Sequence, residues 1–218
     1  MFIVFDLDDT LIDTSGFVTP FKMEACLKKC VALGLPVQDF AAAYQALLAL
    51  NKRSLKSTDA IKSFIASYHL PTFPIEEILK ELHSPLPADF QVPMTPYAKE
   101  ILEFYKNLCP IVLVTGGNPA FQWEKLKKAG IDSSIFSMIS IPEDSIKKPY
   151  YQAAKQKFGA EPSRIWVCGD RIEMDLKPAF ELGFRTVHMR WGRGTLTTSE
   201  NWIDYSISEL SELKEIIQ

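Results

Sequence analysis

Four apolar residues in a row, Phe2 to Phe5, stand near the start of the chain, and similar runs return at Ile111–Val114, 136–141, 165–168 and 186–189. Runs this short and continuous, with their β-branched residues, predict strands buried on both faces, which is the habit of a parallel sheet. Most are followed by a stretch with helical spacing. That alternation predicts an α/β fold, a parallel sheet sandwiched by helices.

About a hundred residues separate the first strand from the second, far more than an ordinary crossover needs, and their pattern is helical. Phe21, Ala25, Lys28 and Lys29 fall on one amphipathic helix ending near Gly34, with Pro36 beyond it. Further helices are predicted at 38–51, with its wide apolar face, at 59–68 and at Ile75–Leu82. The prolines from Pro85 to Pro96 read as a return linker, after which a helix over 99–107 resumes the core. The expected division is therefore a core of 1–14 and 94–218, interrupted by an all-helical subdomain over 15–93.

The chain has 218 residues, 47% of them hydrophobic, enough for one sizeable core with an insert. Its 24 basic and 27 acidic residues leave a net charge of −3. No broad positive field draws in a nucleic-acid polymer or an anionic membrane, so an anionic ligand needs a local basic site. The first strand follows the initiator methionine directly, with no signal-like segment, and no apolar run is long enough to span a bilayer; the expectation is a cytoplasmic protein. Cys26, Cys30, Cys109 and Cys168 form no Cys-x-x-Cys pair. They are expected as reduced, mostly buried thiols rather than a zinc site. His69, His83 and His188 are expected at the surface or in packing.

The candidate chemistry collects at strand ends, where open α/β sheets bind ligands. Asp6 and Asp8 stand at i and i+2 after the first strand, so a continuing strand would turn both to one face. Like charges this close demand a cation or a shared proton. Oxygen-only donors of this kind suit magnesium, which is commonly held by one or two carboxylates and a substrate phosphate. Asp9, taken alone, reads as a turn or cap residue. Thr115 ends the second strand with a hydroxyl that could donate to a phosphate oxygen, and Gly116 lets a backbone N–H approach the same oxyanion; a plain turn leading to a helix cap at Asn118 is the other reading. Asp170 and Asp175 follow the fourth strand, with Glu173 a competitor between them.

Taken in order, Asp6-Leu7-Asp8-Asp9-Thr10, 112–117 (Val-Leu-Val-Thr-Gly-Gly), Lys148-Pro149 and 169–175 (Gly-Asp-Arg-Ile-Glu-Met-Asp) resemble the four motifs of the haloacid dehalogenase-like (HAD) superfamily across nearly the whole chain. The resemblance implies a Rossmann-like core with a helical cap between the first two motifs. It implies a magnesium-dependent phosphomonoesterase acting on a small phosphorylated metabolite. Asp6 would be the nucleophile, forming an aspartyl-phosphate, and Asp8 the general acid and base. Thr115, Gly116 and Lys148 would bind the phosphoryl group, with Lys148 preferred over Lys147 because Pro149 follows it. Asp6, Asp8, Asp170 and Asp175 would hold magnesium. Asp8 disfavours dehalogenation, which needs no protonated leaving group. A phosphomutase of the same fold and a catalytically silent phospho-ligand-binding module remain the alternatives. Lys22, Lys52 and Arg53 are candidate substrate contacts from the insert.

Overall fold

The computed structural model describes residues 1–217. Six parallel strands form one sheet in the order β3-β2-β1-β4-β5-β6: β1 Phe2–Phe5, β2 Ile111–Val114, β3 Met138–Ser140, β4 Ile165–Gly169, β5 Arg185–Met189 and β6 Tyr205–Ile207. β1 lies at the middle, with Ile3 opposite Ile111 on one side and Trp166 on the other. Phe2, Ile3, Val4 and Phe5 are wholly buried, the outcome expected of a strand covered on both faces. The order reverses direction across β1, so the crevice at its carboxyl end is a topological switch point. The parallel α/β core expected from the pattern is present.

Helices α1 Thr19–Ala32, α2 Phe40–Arg53, α3 Ser57–Ala66 and α4 Ile75–Leu82 make up the insert, followed in the core by α5 Ala98–Tyr105, α6 Pro119–Lys128, α7 Lys148–Phe158, α8 Lys177–Phe180 and α9 Leu213–Ile216. Their starts carry the expected chemistry. Asp39 caps α2 by accepting the Ala42 N–H at 3.0 Å, and Asn118 caps α6 through Phe121 N–H at 3.0 Å with Pro119 next to it. The strand predicted over 136–141 is shorter than expected because a 3₁₀ turn at Ser133–Ile135 leads into it. β6 was absent from the sequence reading: its Tyr205 and Ser206 are exposed and only Ile207 is buried, so it carries no apolar run.

The chain divides into two compact units, one of Met1–Ser15 with the chain from Leu86 onward, the other of Gly16–Pro85. The segment 86–93 thus groups with the core, whereas the sequence reading assigned it to the insert. Its attachment is visible: Leu86 N–H donates to Glu124 Oε1 at 2.8 Å, and Lys128 Nζ reaches the Pro87 and Ala88 carbonyls at 2.5 and 2.7 Å. The insert has its own core of Met23, Cys26, Leu27, Leu47, Ile61, Phe64 and Ile78. Lys22 is buried, with its ammonium on the Ser84 carbonyl and on Ser84 Oγ at 2.9 Å, a clasp between the start of α1 and the residue beyond α4. Lys52 and Arg53 are exposed at the end of α2. All four cysteines are free, and no described helix is long and apolar enough to cross a membrane.

Candidate active site

β1, β2 and β4 end side by side, and each delivers a functional residue one position beyond or at its tip: Asp6, Thr115 and Asp170. Asp175 arrives from a π-helical turn, Ile172–Leu176, that folds back beneath β4. Its return is tight. A Cβ on Gly169 would lie 2.5 Å from Asp175 Cβ, so only a residue without a side chain leaves room there. Asp175 Oδ2 accepts the Arg171 N–H at 2.9 Å, and its carbonyl accepts the Tyr151 hydroxyl at 3.2 Å, which fixes the turn.

Asp6, Asp170 and Asp175 are all buried, and each offers a carboxylate oxygen within 4.8 Å of the other two. Burial pushes Asp6 up to about 7, with Asp175 and Asp8 adding to the rise and Lys147 opposing it. Asp170 is driven far above the usual carboxylate range by burial and then by Asp175, Asp9 and Asp6. Hard oxygen donors packed this closely fit a small divalent cation, which would relieve the repulsion that Asp6 and Asp170 feel. The donor set therefore fits magnesium through Asp6, Asp170 and Asp175.

Asp8, expected as a fourth carboxylate of this group, has its carboxylate oxygens on other partners. Asp8 Oδ1 is taken by the Lys125 ammonium and the Thr14 hydroxyl, and Oδ2 accepts from Gln122 Nε2 at 2.9 Å. Burial would raise this carboxyl, but the Lys125 charge and the hydrogen bonds from Lys125, Thr14 and Gln122 outweigh it and hold Asp8 below the ordinary range. Gln122 also donates to Thr115 Oγ1 at 2.5 Å and to the Gly116 carbonyl at 3.0 Å. Residues 122 and 125 sit one turn apart on α6, so one helix face supports both Asp8 and the end of β2. The sequence reading missed this pair; the spacing i, i+3 after the second motif was the available signal.

The lysine that reaches the acidic trio is Lys147, where Lys148 was expected. Lys147 is buried and its ammonium lies 2.5 Å from Asp6 Oδ1 and 2.6 Å from Asp175 Oδ1. Burial disfavours that charge, but Asp175 and Asp6 more than compensate and raise its affinity for the proton well above an ordinary lysine. Lys148 is the first residue of α7, points outward and pairs with Glu181 at 2.6 Å. The helix begins between the two residues, so their side chains leave in different directions, which the neighbouring proline could not reveal. Asp9, read as a turn residue, adopts a left-handed conformation with φ of 58° and accepts from Ser15 N–H at 2.7 Å and Ser15 Oγ at 2.5 Å. His188 is fully buried, its Nε2 3.2 Å from the Asp170 carbonyl oxygen. Glu173 pairs outside the cluster with Lys177 at 2.7 Å.

Comparison with known proteins agrees with this architecture. Two relatives are named glyceraldehyde 3-phosphate phosphatase: that of Pyrococcus furiosus is 28% identical, over 99% of this chain and 92% of its own, and that of Methanocaldococcus jannaschii 29%, over 99% and 96%. Among solved structures, the HAD-hydrolase YfnB from Bacillus subtilis, crystallised with magnesium, superposes with a TM-score of 0.70 at 15% identity, covering 100% of this chain and 98% of its own. The family model for haloacid dehalogenase-like hydrolases matches residues 1–183. The chain belongs to the haloacid dehalogenase-like hydrolases.

Proposed function

We propose that this hydrolase is a magnesium-dependent phosphomonoesterase that works through an aspartyl-phosphate on Asp6, with a short-chain sugar phosphate as substrate. The observation that carries the reading is the separation of two carboxylates by environment. Asp6 sits in the buried trio beside Lys147, whereas Asp8, two residues on, is held apart by α6. Two acids two residues apart in the chain, each with its own set of partners, can take separate parts in one reaction. The names of the two relatives support the substrate size.

In this reading Asp6 attacks phosphorus in line with the departing oxygen, and Lys147 balances charge on Asp6 and on the incoming phosphoryl group as a compact point charge. Thr115 and the backbone at Gly116 orient the phosphoryl oxygens. Asp8 relays to the leaving oxygen a proton drawn from the Lys125 ammonium that donates to it, and later takes one from the water that hydrolyses the aspartyl-phosphate and returns it to Lys125. Asp6, Asp170 and Asp175 would hold magnesium, which supplies charge neutralisation at the phosphoryl group. Gln122 and Lys125 keep Asp8 aimed, and Gln122 ties that aim to Thr115. The insert Gly16–Pro85 is assigned the role of a cap that selects the substrate.

The test is phosphate release from a panel of phosphorylated metabolites headed by glyceraldehyde 3-phosphate, with and without magnesium. Turnover that needs the metal supports the proposal. No release from any member would favour a silent binding module, and an isomerised sugar phosphate with little free phosphate would favour a mutase.

A further inference from the structure

We propose that Ser145 is a substrate-binding residue whose hydroxyl donates to a non-bridging oxygen of the phosphoryl group, beside the backbone N–H of Gly116. This rests on the phosphomonoesterase reading and deepens it by naming a donor that comes from the loop between β3 and α7.

Ser145 stands two residues before Lys147 in that loop, and the loop is stitched to the end of β2. The Pro142 carbonyl accepts both the Ser145 N–H at 3.1 Å and the Gly117 N–H at 3.0 Å, while Thr115 N–H donates to the Ser140 carbonyl at 3.1 Å. On the other side of Ser145, Asp144 Oδ1 accepts the Ile146 N–H at 2.9 Å. Held in this way, Ser145 adopts a left-handed backbone with φ of 65°, a conformation that residues with a side chain rarely take. Its side chain lies against Gly116. A Cβ on Gly116 would fall 2.7 Å from both Cβ and Oγ of Ser145, so the hydroxyl occupies the space in which a side chain at 116 would begin.

Two donors meet here without protein acceptors. Among the described residues neither the Ser145 hydroxyl nor the Gly116 N–H has a hydrogen-bond partner, although Ser145 is half-buried. Other loop serines spend their hydroxyls on local acids, Ser15 on Asp9 at 2.5 Å and Ser134 on Asp132 at 2.7 Å. Both neighbours of the pair already belong to the site: Thr115 precedes Gly116, and Lys147 reaches Asp6 at 2.5 Å. A hydroxyl and an N–H side by side, with an ammonium two residues along the loop, suit an oxyanion, because each can donate to it. The phosphoryl group is the part that every phosphate monoester shares. The Ser145 hydroxyl should therefore serve all substrates alike, leaving the choice among them to other groups.

The experiment compares Ser145→Ala and Ser145→Gly with the unaltered protein, all with magnesium. It measures kcat/KM on glyceraldehyde 3-phosphate and p-nitrophenyl phosphate, and the affinity for inorganic phosphate by titration calorimetry. Alanine removes only the hydroxyl, whereas glycine removes it and is also at ease at positive φ. Both variants should lose about tenfold in kcat/KM on each ester and bind inorganic phosphate about tenfold more weakly, the scale of one hydrogen bond to a charged group. A glycine variant that matches the unaltered protein would show that position 145 acts through its backbone alone and would overturn the proposal. So would a loss confined to one ester, which would put the hydroxyl on the leaving group, or a phosphate affinity unchanged in both variants. The calorimetry does not depend on turnover. If the unaltered protein hydrolyses neither ester, the phosphomonoesterase reading fails, while weaker phosphate binding by the variants would still support the assignment of Ser145. Equal binding by all three proteins, or none by any, would remove it.

Discussion

The ammonium of Lys147 lies 2.5 Å from Oδ1 of Asp6, with both side chains buried, although 141 positions separate them in sequence. Lys147→Met should therefore reduce kcat/KM by about a thousandfold, the scale seen when a preorganised charge is removed from a site. It should also destabilise the fold by about 3–5 kcal/mol, since Asp6 and Asp175 lose their shared counter-charge. Lys148→Met removes only an exposed pair with Glu181, so activity should stay within about twofold and stability within about 0.5 kcal/mol. Kinetics and denaturant melts of the two variants check the assignment, and the reverse ranking would return the role to Lys148.

Asp6→Asn should abolish turnover of every substrate because the amide cannot form the acyl phosphate. Asp8→Asn should lower kcat by about 10²–10⁴ on alkyl phosphates, the range of one general acid–base group. The deficit should shrink with p-nitrophenyl phosphate, whose leaving group departs without a proton. An equal loss on both ester types would remove Asp8 as the proton donor.

Asp6 has an ordinary value of 3.8 when exposed and about 7 in the folded protein. The folded state thus binds a proton there that the unfolded chain has released, and the contribution is present below about pH 4 and lost as the pH rises through 7. Asp170 is shifted in the same direction. Metal-free protein should accordingly lose melting temperature on this account between pH 5 and pH 8. Asp6→Asn should flatten that slope, and magnesium should raise the melting temperature more at pH 8 than at pH 5. Calorimetric scans at the two pH values, with chelator or magnesium, measure the difference; a metal effect that is larger at pH 5 would contradict the cluster.

Burial pushes the Cys26 thiol up to about 12 and Cys30 to about 11, and lifts Cys168 beyond both. Cys109 is only half-buried, although burial raises its thiol as well. Iodoacetamide at pH 8 should label Cys109 first, with the other three protected until denaturant is added. Peptide mapping by mass spectrometry reads the order, and early labelling of Cys26 would show that the insert core opens readily.

Much of this was legible in the chain because strand periodicity and motif chemistry are local. The runs at Phe2–Phe5 and Ile111–Val114 carry their burial in their composition, and Asp6, Thr115 and Asp170 stand at positions that a strand tip dictates. What escaped was orientation. Whether Lys147 or Lys148 turns inward depends on where α7 begins, and whether Asp8 joins the acidic trio depends on Lys125 and Gln122, more than a hundred residues away. β6 was hidden by its exposed position at the sheet edge, where the alternation is too short to register.

Gly169 carries no group that could bind, donate or attack, yet it determines how near Asp175 can come to the tip of β4. A single methyl at that position would act as a wedge between strand and turn and force one donor of the trio outward. The spacing of the acids, and with it the size of the ion they could select, is thus set by an absence of atoms at one point of the chain. In this fold, steric silence beside the cluster would count in the choice of an ion alongside the carboxylates themselves.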